Sequence, residues 1–242
     1  MIYLFPIAGR GSRFLEKANE NSEYKKPKPL IDIKGKPMIQ RAVEAFPISS
    51  EDKLVFVVRK EHVEEYNIDV KLKEIFKTNT EIVVQDTPPE GAAKTVLLAK
   101  KLINNSQPLL ITDSDFILEG KKYFDKIQDN DPDFAFPTFY SENPRSSFAK
   151  INEKGFVTET AEKKKISTNA IIGSYYFKEG RDFVFAAEKM IKEDVKVGGE
   201  FYISPSFNYL VQENKKGILI NGCKLVEMGT PELLEESRSA IE

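Results

Sequence analysis

Short apolar runs alternate with amphipathic stretches along the first half of the chain. Residues 2–7 (Ile-Tyr-Leu-Phe-Pro-Ile) and 54–58 (Leu-Val-Phe-Val-Val) predict strands, the second rich in β-branched side chains. Residues 81–85, 109–112 and 134–139 predict three more. Between them, 38–46 and 92–103 carry helical periodicity. In the latter, Ala92, Val96, Ala99 and Ile103 form an apolar stripe at steps of four, three and four. Strands separated by helices argue for βαβ units and a mostly parallel sheet. Ligands of such sheets sit beyond the carboxyl ends of the strands.

The second half is less regular. Residues 148–152 and 156–159 flank Glu153-Lys154-Gly155, which predicts a hairpin. Residues 170–177 predict a further strand, and 183–192 and 203–212 predict helices. No internal repeat, low-complexity segment or linker stands out. The simplest reading is one α/β domain over residues 1–242. It has a mostly parallel central sheet, helices on both faces and a small inserted β-rich lobe.

Composition narrows the function. The 242 residues are 40% hydrophobic and 31% charged, ordinary for a globular protein with a real core. Lys+Arg number 36 against 38 Asp+Glu, a net charge of −2, so nucleic acid is not expected as a partner and any anion must meet a local cluster. One cysteine, Cys223, and one histidine, His62, leave no internal disulfide, zinc cluster or Ser-His-Asp centre. Cys223 reads as a small buried apolar residue, and His62, beside Glu61, as a surface residue. The apolar start is short, lacks a basic flank and meets Pro6 and Gly9, so neither a signal peptide nor a membrane span is expected, and the location is read as cytoplasmic.

Three clusters carry candidate chemistry. Gly9-Arg10-Gly11-Ser12-Arg13-Phe14 follows the first predicted strand. Its glycines would let backbone N–H groups approach an anion, with a helix start behind them. Phe14 stands where a dinucleotide fingerprint wants its third glycine, and the Walker pattern is absent; alone, the loop reads equally well as a structural turn. In Lys25-Lys26-Pro27-Lys28-Pro29-Leu30, the two prolines fix the backbone around Lys28, which suits a lysine held against a phosphate rather than one in a solvated loop. Thr112-Asp113-Ser114-Asp115-Phe116 closes the fourth predicted strand. Its two carboxylates suit Mg²⁺, a hard cation shared with phosphate oxygens; a solvated acidic turn is the alternative.

Taken together, these motifs resemble the sugar-phosphate nucleotidyltransferase family, whose patterns G-x-G-[ST]-R-[FLM], P-K-P-[LM] and G-x-P-M appear here at 9–14, 27–30 and 35–38, in order. The resemblance implies a Rossmann-like nucleotidyltransferase fold, with residues 1–139 binding the NTP and 140–242 the acceptor. It implies that Arg13 and Lys28 hold the triphosphate and stabilise transition-state charge, with Ala8, Gly9, Gly11 and Ser12 around the phosphates. Residues 85–93 are similar to the family's base-reading segment, which implies Gln85, Gly91 and Ala92 at the base. Asp115 matches the family's metal aspartate; Asp113 stands where many members have asparagine and, with Ser114, is expected at the nucleotide. Glu162-Lys163, Gly173 to Phe177, Gly199-Glu200-Phe201-Tyr202 and Gly229-Thr230-Pro231-Glu232 match further family motifs. They imply Glu162, Lys163, Asn169, Gly173 and Glu200 at a phosphorylated acceptor.

Two departures stand out. Glu227 occupies the place of an aspartate that serves many members as second metal ligand. The chain also ends soon after Pro231 without the β-helix of some relatives, so no fused second activity is expected. The implied reaction is Mg²⁺-dependent attack of an acceptor phosphate on the α-phosphorus of an NTP. That nucleophile is already anionic and needs no general base, which fits a chain with one histidine. Residues 91–100 and the Ser114-Asp115 pair are similar to bacterial capsule-associated cytidylyltransferases. That branch implies CTP as donor, with phosphoglutamine among the acceptors; its carboxylate would also need a cation, for which Arg145 or Lys150 are candidates without motif support. A sugar-1-phosphate transferase using UTP or dTTP, a catalytically silent nucleotide-binding regulator and a homo-oligomeric state stay open.

Overall fold

The structure, a computed structural model, describes residues 1–77, 79–87 and 90–241. β1 (Ile2–Pro6) is buried on both faces and leads through the glycine loop into α1 (Ser12–Leu15), a single turn. The helix expected behind the loop is thus too short to add a macrodipole of consequence. A hairpin of β2 (Asp32–Ile33) and β3 (Lys36–Pro37) turns at Lys34 and Gly35, both at positive φ, and precedes α2 (Met38–Glu44). Next come β4 (Lys53–Arg59), α3 (Lys60–Tyr66), α4 (Ile68–Phe76), β5 (Asn79–Gln85), α5 (Ala92–Leu97) and α6 (Lys100–Ile103). β6 (Leu109–Thr112) is followed by β7 (Phe116–Leu118), α7 (Gly120–Asn130) and β8 (Phe134–Tyr140). The remaining strands are β9 (Ser147–Ile151), β10 (Val157–Glu162), β11 (Asn169–Ile171) and β12 (Ser174–Phe177). α8 (Gly180–Lys192), α9 (Phe207–Gln212), β13 (Gly217–Asn221), β14 (Leu225–Glu227) and α10 (Pro231–Ser237) complete the order.

One sheet runs β10-β9-β11-β8-β12-β6-β1-β4-β5, with β13 against β8. β6, β1, β4 and β5 are mutually parallel, β12 is antiparallel to β6, and β8 and β13 again run with β6. The β-rich segment of the second half extends this same sheet: β9 and β10 form the expected hairpin, joined through β11.

Alternation along the central strands splits the core between the two faces. Ile2, Leu4, Val55 and Val57 pack with α5, α6, α8 and α9 on one side. Tyr3, Phe5, Leu54 and Phe56 pack with α2, α4 and α7 on the other. A third, smaller cluster joins Phe14, Tyr24, Ile31, Ile33 and Met38 to Met228, Leu234 and Ile241.

Several expectations are corrected. The helix over 92–103 breaks at Leu98-Ala99, where bonds tighten to i→i−3, yet Val96, Ala99 and Ile103 stay buried as one stripe. The strand over 170–177 is interrupted at Ile172-Gly173. There Gly173 lies against the Asp113 carboxylate, 2.1 Å from where a Cβ would stand. His62, on the buried face of α3, is 9% exposed, and burial lowers its pKa. Cys223 is half-buried beside the second core cluster, which raises its thiol pKa.

Candidate active site

The parallel strands β1 and β6 end side by side, and the loops beyond them supply the charged groups. Gly11 takes a left-handed conformation, φ +65°, with its Cα side closed by Lys28, whose Cβ would lie 3.2 Å from a Cβ placed there. Glycine is required for both reasons. Phe14, fully buried, packs edge-on against Tyr24 at 5.1 Å and anchors the loop to the core. Lys28 lies in a short 3₁₀ turn between its prolines. Its Nζ donates to Asp115 Oδ2 at 2.7 Å and to the Gly229 carbonyl at 3.1 Å, and it sits 5.7 Å from the Phe14 ring centroid.

Two cavities meet here. The first, about 360 Å³, is lined by Gly9, Gly11, Ser12, Arg13, Lys28 and Ser114 among others. The second, about 460 Å³, lies toward the second half and is lined by Ala92, Arg145, Ser147, Glu162, Tyr202 and Glu227 among others. Arg13, Asp113, Asp115 and Gly229 line both. Arg13 has no ion pair among the described residues, so its guanidinium is available to both spaces.

The acidic side of the seam is assembled from distant segments. β14 pairs with β7 so that Glu227 stands opposite Phe116, and the Met228 amide donates to the Asp115 carbonyl at 2.8 Å. Asp115 and Glu227 therefore face one cavity. Asp113 is held by its amide, which donates to the Gly173 carbonyl at 2.8 Å. Burial pushes the Asp113 carboxyl upward, and the Asp115 charge adds to this while Lys28 opposes it. Among the described residues, no group of three or more His, Cys, Asp or Glu forms a metal cage. Two carboxylates on one cavity instead match Mg²⁺, which keeps most of its coordination for water and phosphate oxygens.

In the second cavity, Glu162 is buried and accepts from Ser204 Oγ at 2.6 Å and from Ser147 Oγ. Lys163 and Glu200 are joined through Tyr202: Lys163 Nζ donates to the Tyr202 hydroxyl, which donates to Glu200 Oε2 at 2.6 Å. The ammonium also lies 4.4 Å from the Tyr202 ring centroid. The Tyr202 contact holds the Lys163 pKa above its ordinary value.

This architecture agrees with the family match. The chain matches the nucleotidyl transferase family over residues 10–219. It belongs to that family. The bifunctional protein GlmU of Methanocaldococcus jannaschii is 25% identical over 220 residues, which cover 89% of this chain and 48% of that protein. Mannose-1-phosphate guanylyltransferase 1 of Arabidopsis thaliana is 36% identical over 100 residues, 38% of this chain and 26% of the relative. The chain thus spans about half the length of the first of these curated relatives and less of the second. Among solved structures, a nucleoside-diphosphate-sugar pyrophosphorylase from Vibrio cholerae RC9 shares the fold with a TM-score of 0.82 at 24% identity, covering 99% of this chain and 100% of that one. A UDP-glucose pyrophosphorylase shares it with a TM-score of 0.75 at 21% identity, covering 99% and 97%.

Within this family member, the residues expected at the site fall into three groups. Gly9, Gly11, Ser12, Arg13, Lys28, Asp113, Ser114, Asp115, Glu162, Gly173 and Glu227 all line the paired cavities. Ala92, expected at the nucleotide base, lines the second cavity instead. Ala8, Gln85, Gly91, Lys163, Asn169 and Glu200 line neither. Ala8 is buried beneath the loop. Gln85, 5% exposed, donates to the Thr87 carbonyl at 2.9 Å, and its Oε1 has no partner. The space beside Gly91, φ +112°, is taken by the Phe201 backbone, 2.4 Å from a would-be Cβ, so packing explains this glycine. Asn169 is turned toward the Ala149 carbonyl of β9. Pro88 and Pro89 of the base-reading segment lie outside the described residues. Arg145, expected as a cation for an acceptor carboxylate, lines the second cavity. Tyr202 and Ser147 were missed as site residues. Only Tyr202 had a signal, its place in the Gly199-Glu200-Phe201-Tyr202 motif.

Proposed function

We propose that the chain transfers the nucleoside monophosphate of an NTP to a phosphorylated small molecule and releases pyrophosphate. The seam of the two cavities carries this reading: a cationic loop, two carboxylates and an acceptor-sized space share Arg13, Asp113 and Asp115. The first cavity, built mainly from residues 1–139, takes the triphosphate; the second, built largely from 140–242, takes the acceptor. An acceptor phosphate oxygen attacks the α-phosphorus, the α–β bridging P–O bond breaks, and pyrophosphate leaves with the electron pair. No proton moves. Arg13 and Lys28 offset charge on the equatorial and leaving oxygens. Asp115 and Glu227 would hold Mg²⁺, which would supply positive charge to offset that of the phosphates.

For the donor we favour CTP. Residues 91–100 and Ser114-Asp115 support it through their resemblance to capsule-associated cytidylyltransferases. The acceptor would carry a second anion, as phosphoglutamine does. Arg145 lines the second cavity with no side-chain partner among the described residues, whereas Lys150 is engaged by Glu159 at 2.9 Å. The names of the relatives favour a second reading, in which a sugar-1-phosphate is joined to UTP, dTTP or GTP.

The deciding experiment is a matrix of CTP, UTP, dTTP, GTP and ATP against phosphoglutamine and sugar-1-phosphates, read by pyrophosphate release and product mass. Nucleotide binding without release from any pair would leave a silent regulator. Release only with UTP, dTTP or GTP and a sugar phosphate would replace CTP.

A further inference from the structure

A third cavity of about 270 Å³ opens on the far side of the glycine loop and shares no lining residue with the other two. Arg10, Lys25, Lys26, Arg59 and His62 line it. The loop alternates: Gly9 and Gly11 face the first cavity, and Arg10 between them faces the third. Pro27 does the same beside Lys28.

The polar groups of this cavity are not fully satisfied. Arg59, at the end of β4, donates Nε and Nη2 to Glu61, at 3.2 and 2.9 Å. Its Nη1 is buried without a partner, and so is Nδ1 of His62, a side chain nine-tenths buried. Leaving a buried donor unmet costs about 1–3 kcal/mol, so an acceptor for Nη1 is expected. Lys26 is paired with Glu23 at 2.6 Å. Arg10 and Lys25 make no side-chain pair among the described residues, so two free cations and the part-buried Arg59 share the lining with Glu65 and with Glu61, which Arg59 already engages. Burial, reinforced by the Arg59 charge, lowers the His62 pKa. Leu15 and Tyr66 give the cavity an apolar wall, and the Tyr66 hydroxyl, donating to the Lys25 carbonyl at 3.0 Å, fixes the lysine-bearing segment to α3.

We infer that this cavity is a second anion site, taking the phosphate group of a small organic phosphate between Arg10, Lys25 and Arg59, separate from the donor and acceptor spaces. Arginine supplies the planar donors that phosphate recognition favours, and the apolar wall suits the body of such a ligand. Because Arg10 and Pro27 alternate with residues of the first cavity, occupancy bears directly on the loop that holds Arg13 and Lys28.

The test is a ³¹P NMR titration of the full chain with inorganic phosphate, run on wild type, on the Arg10→Gln, Lys25→Gln double variant and on Lys28→Ala. Both positions of the double variant are exposed, so the fold should be unaffected. Wild type and Lys28→Ala are expected to share a saturable site that the double variant weakens at least tenfold. Binding lost in Lys28→Ala but kept in the double variant would overturn the inference, and so would the absence of saturable binding in wild type. Arg59→Gln removes Nη1 itself; a folded Arg59→Gln that binds phosphate as wild type does would also overturn it. Parallel titrations with a sugar monophosphate and with CTP separate the sources. The ligand whose affinity falls most in the double variant identifies a free anion, a phosphorylated metabolite or a nucleotide.

Discussion

Lys28 and Asp115, 87 positions apart, form a 2.7 Å ion pair where the two active-site cavities meet. One cation thus both orients the proposed metal carboxylate and faces the phosphate loop. Lys28→Ala is expected to keep the fold and lose about 10²–10³ in turnover, the usual cost of removing one preorganised charge-stabilising group. Pyrophosphate release from a variant with unchanged far-UV circular dichroism checks this, and near-normal turnover would remove Lys28 from the mechanism.

Asp115→Asn is expected to abolish Mg²⁺-dependent turnover, with a smaller loss in Glu227→Gln. Both carboxylates line the second cavity, but only Asp115 also reaches the first. Measured Mg²⁺ titrations should show a raised metal requirement in Glu227→Gln. An unchanged requirement would exclude it as a ligand.

Asp113 predicts a pH signature. Its folded pKa is raised to about 7 from an ordinary 3.8, so the folded state holds a proton that the unfolded state has lost. The group's stabilising contribution is present below pH 3.8 and declines as pH rises to about 7. Metal-free Asp113→Asn should therefore gain melting temperature relative to wild type on going from pH 5 to pH 8. A difference that is constant with pH would mean that Asp113 is ionised throughout.

The strand centres were legible because β-branched and apolar residues fill them; β6 runs over the expected 109–112. α3 and α4 were not, since only His62, Ile68 and Leu72 of their residues are buried and the rest are largely charged. The order of the glycine loop, Lys28 and Asp115 pointed to the proposed donor side. The proposed acceptor side resisted, because Lys163 and Glu200 lie off the cavity and reach it through Tyr202. Lys163 and Glu200 read separately as ligands, and nothing local shows that a tyrosine hydroxyl joins them.

Tyr202→Phe isolates that link. It keeps the ring beneath Lys163 and removes the hydroxyl bridge. A net hydrogen bond is worth about 0.5–1.5 kcal/mol, so the acceptor KM should rise by about 2- to 10-fold with the donor KM unchanged. A change confined to the donor KM would reverse the assignment of the two cavities.

Gly91→Ala should be costly for stability. The Cβ would stand 2.4 Å from the Phe201 carbonyl oxygen, at φ +112°. Strain and overpacking together suggest a loss of about 2–4 kcal/mol, readable by urea denaturation. A loss below 1 kcal/mol would show that the Phe201 segment shifts freely.

The small third core cluster has a consequence for biogenesis. Phe14 and Tyr24, which anchor the phosphate loop, pack with Met228, Leu234 and Ile241 from the far end of the described chain. Lys28 likewise needs the Gly229 carbonyl, and Glu227 arrives only with β14. On a ribosome the sheet can form while the loop is still untethered. Competence would therefore be conferred by residues 227–241, made after the sheet strands, and chains truncated before Leu234 would display a folded sheet with an unfinished site.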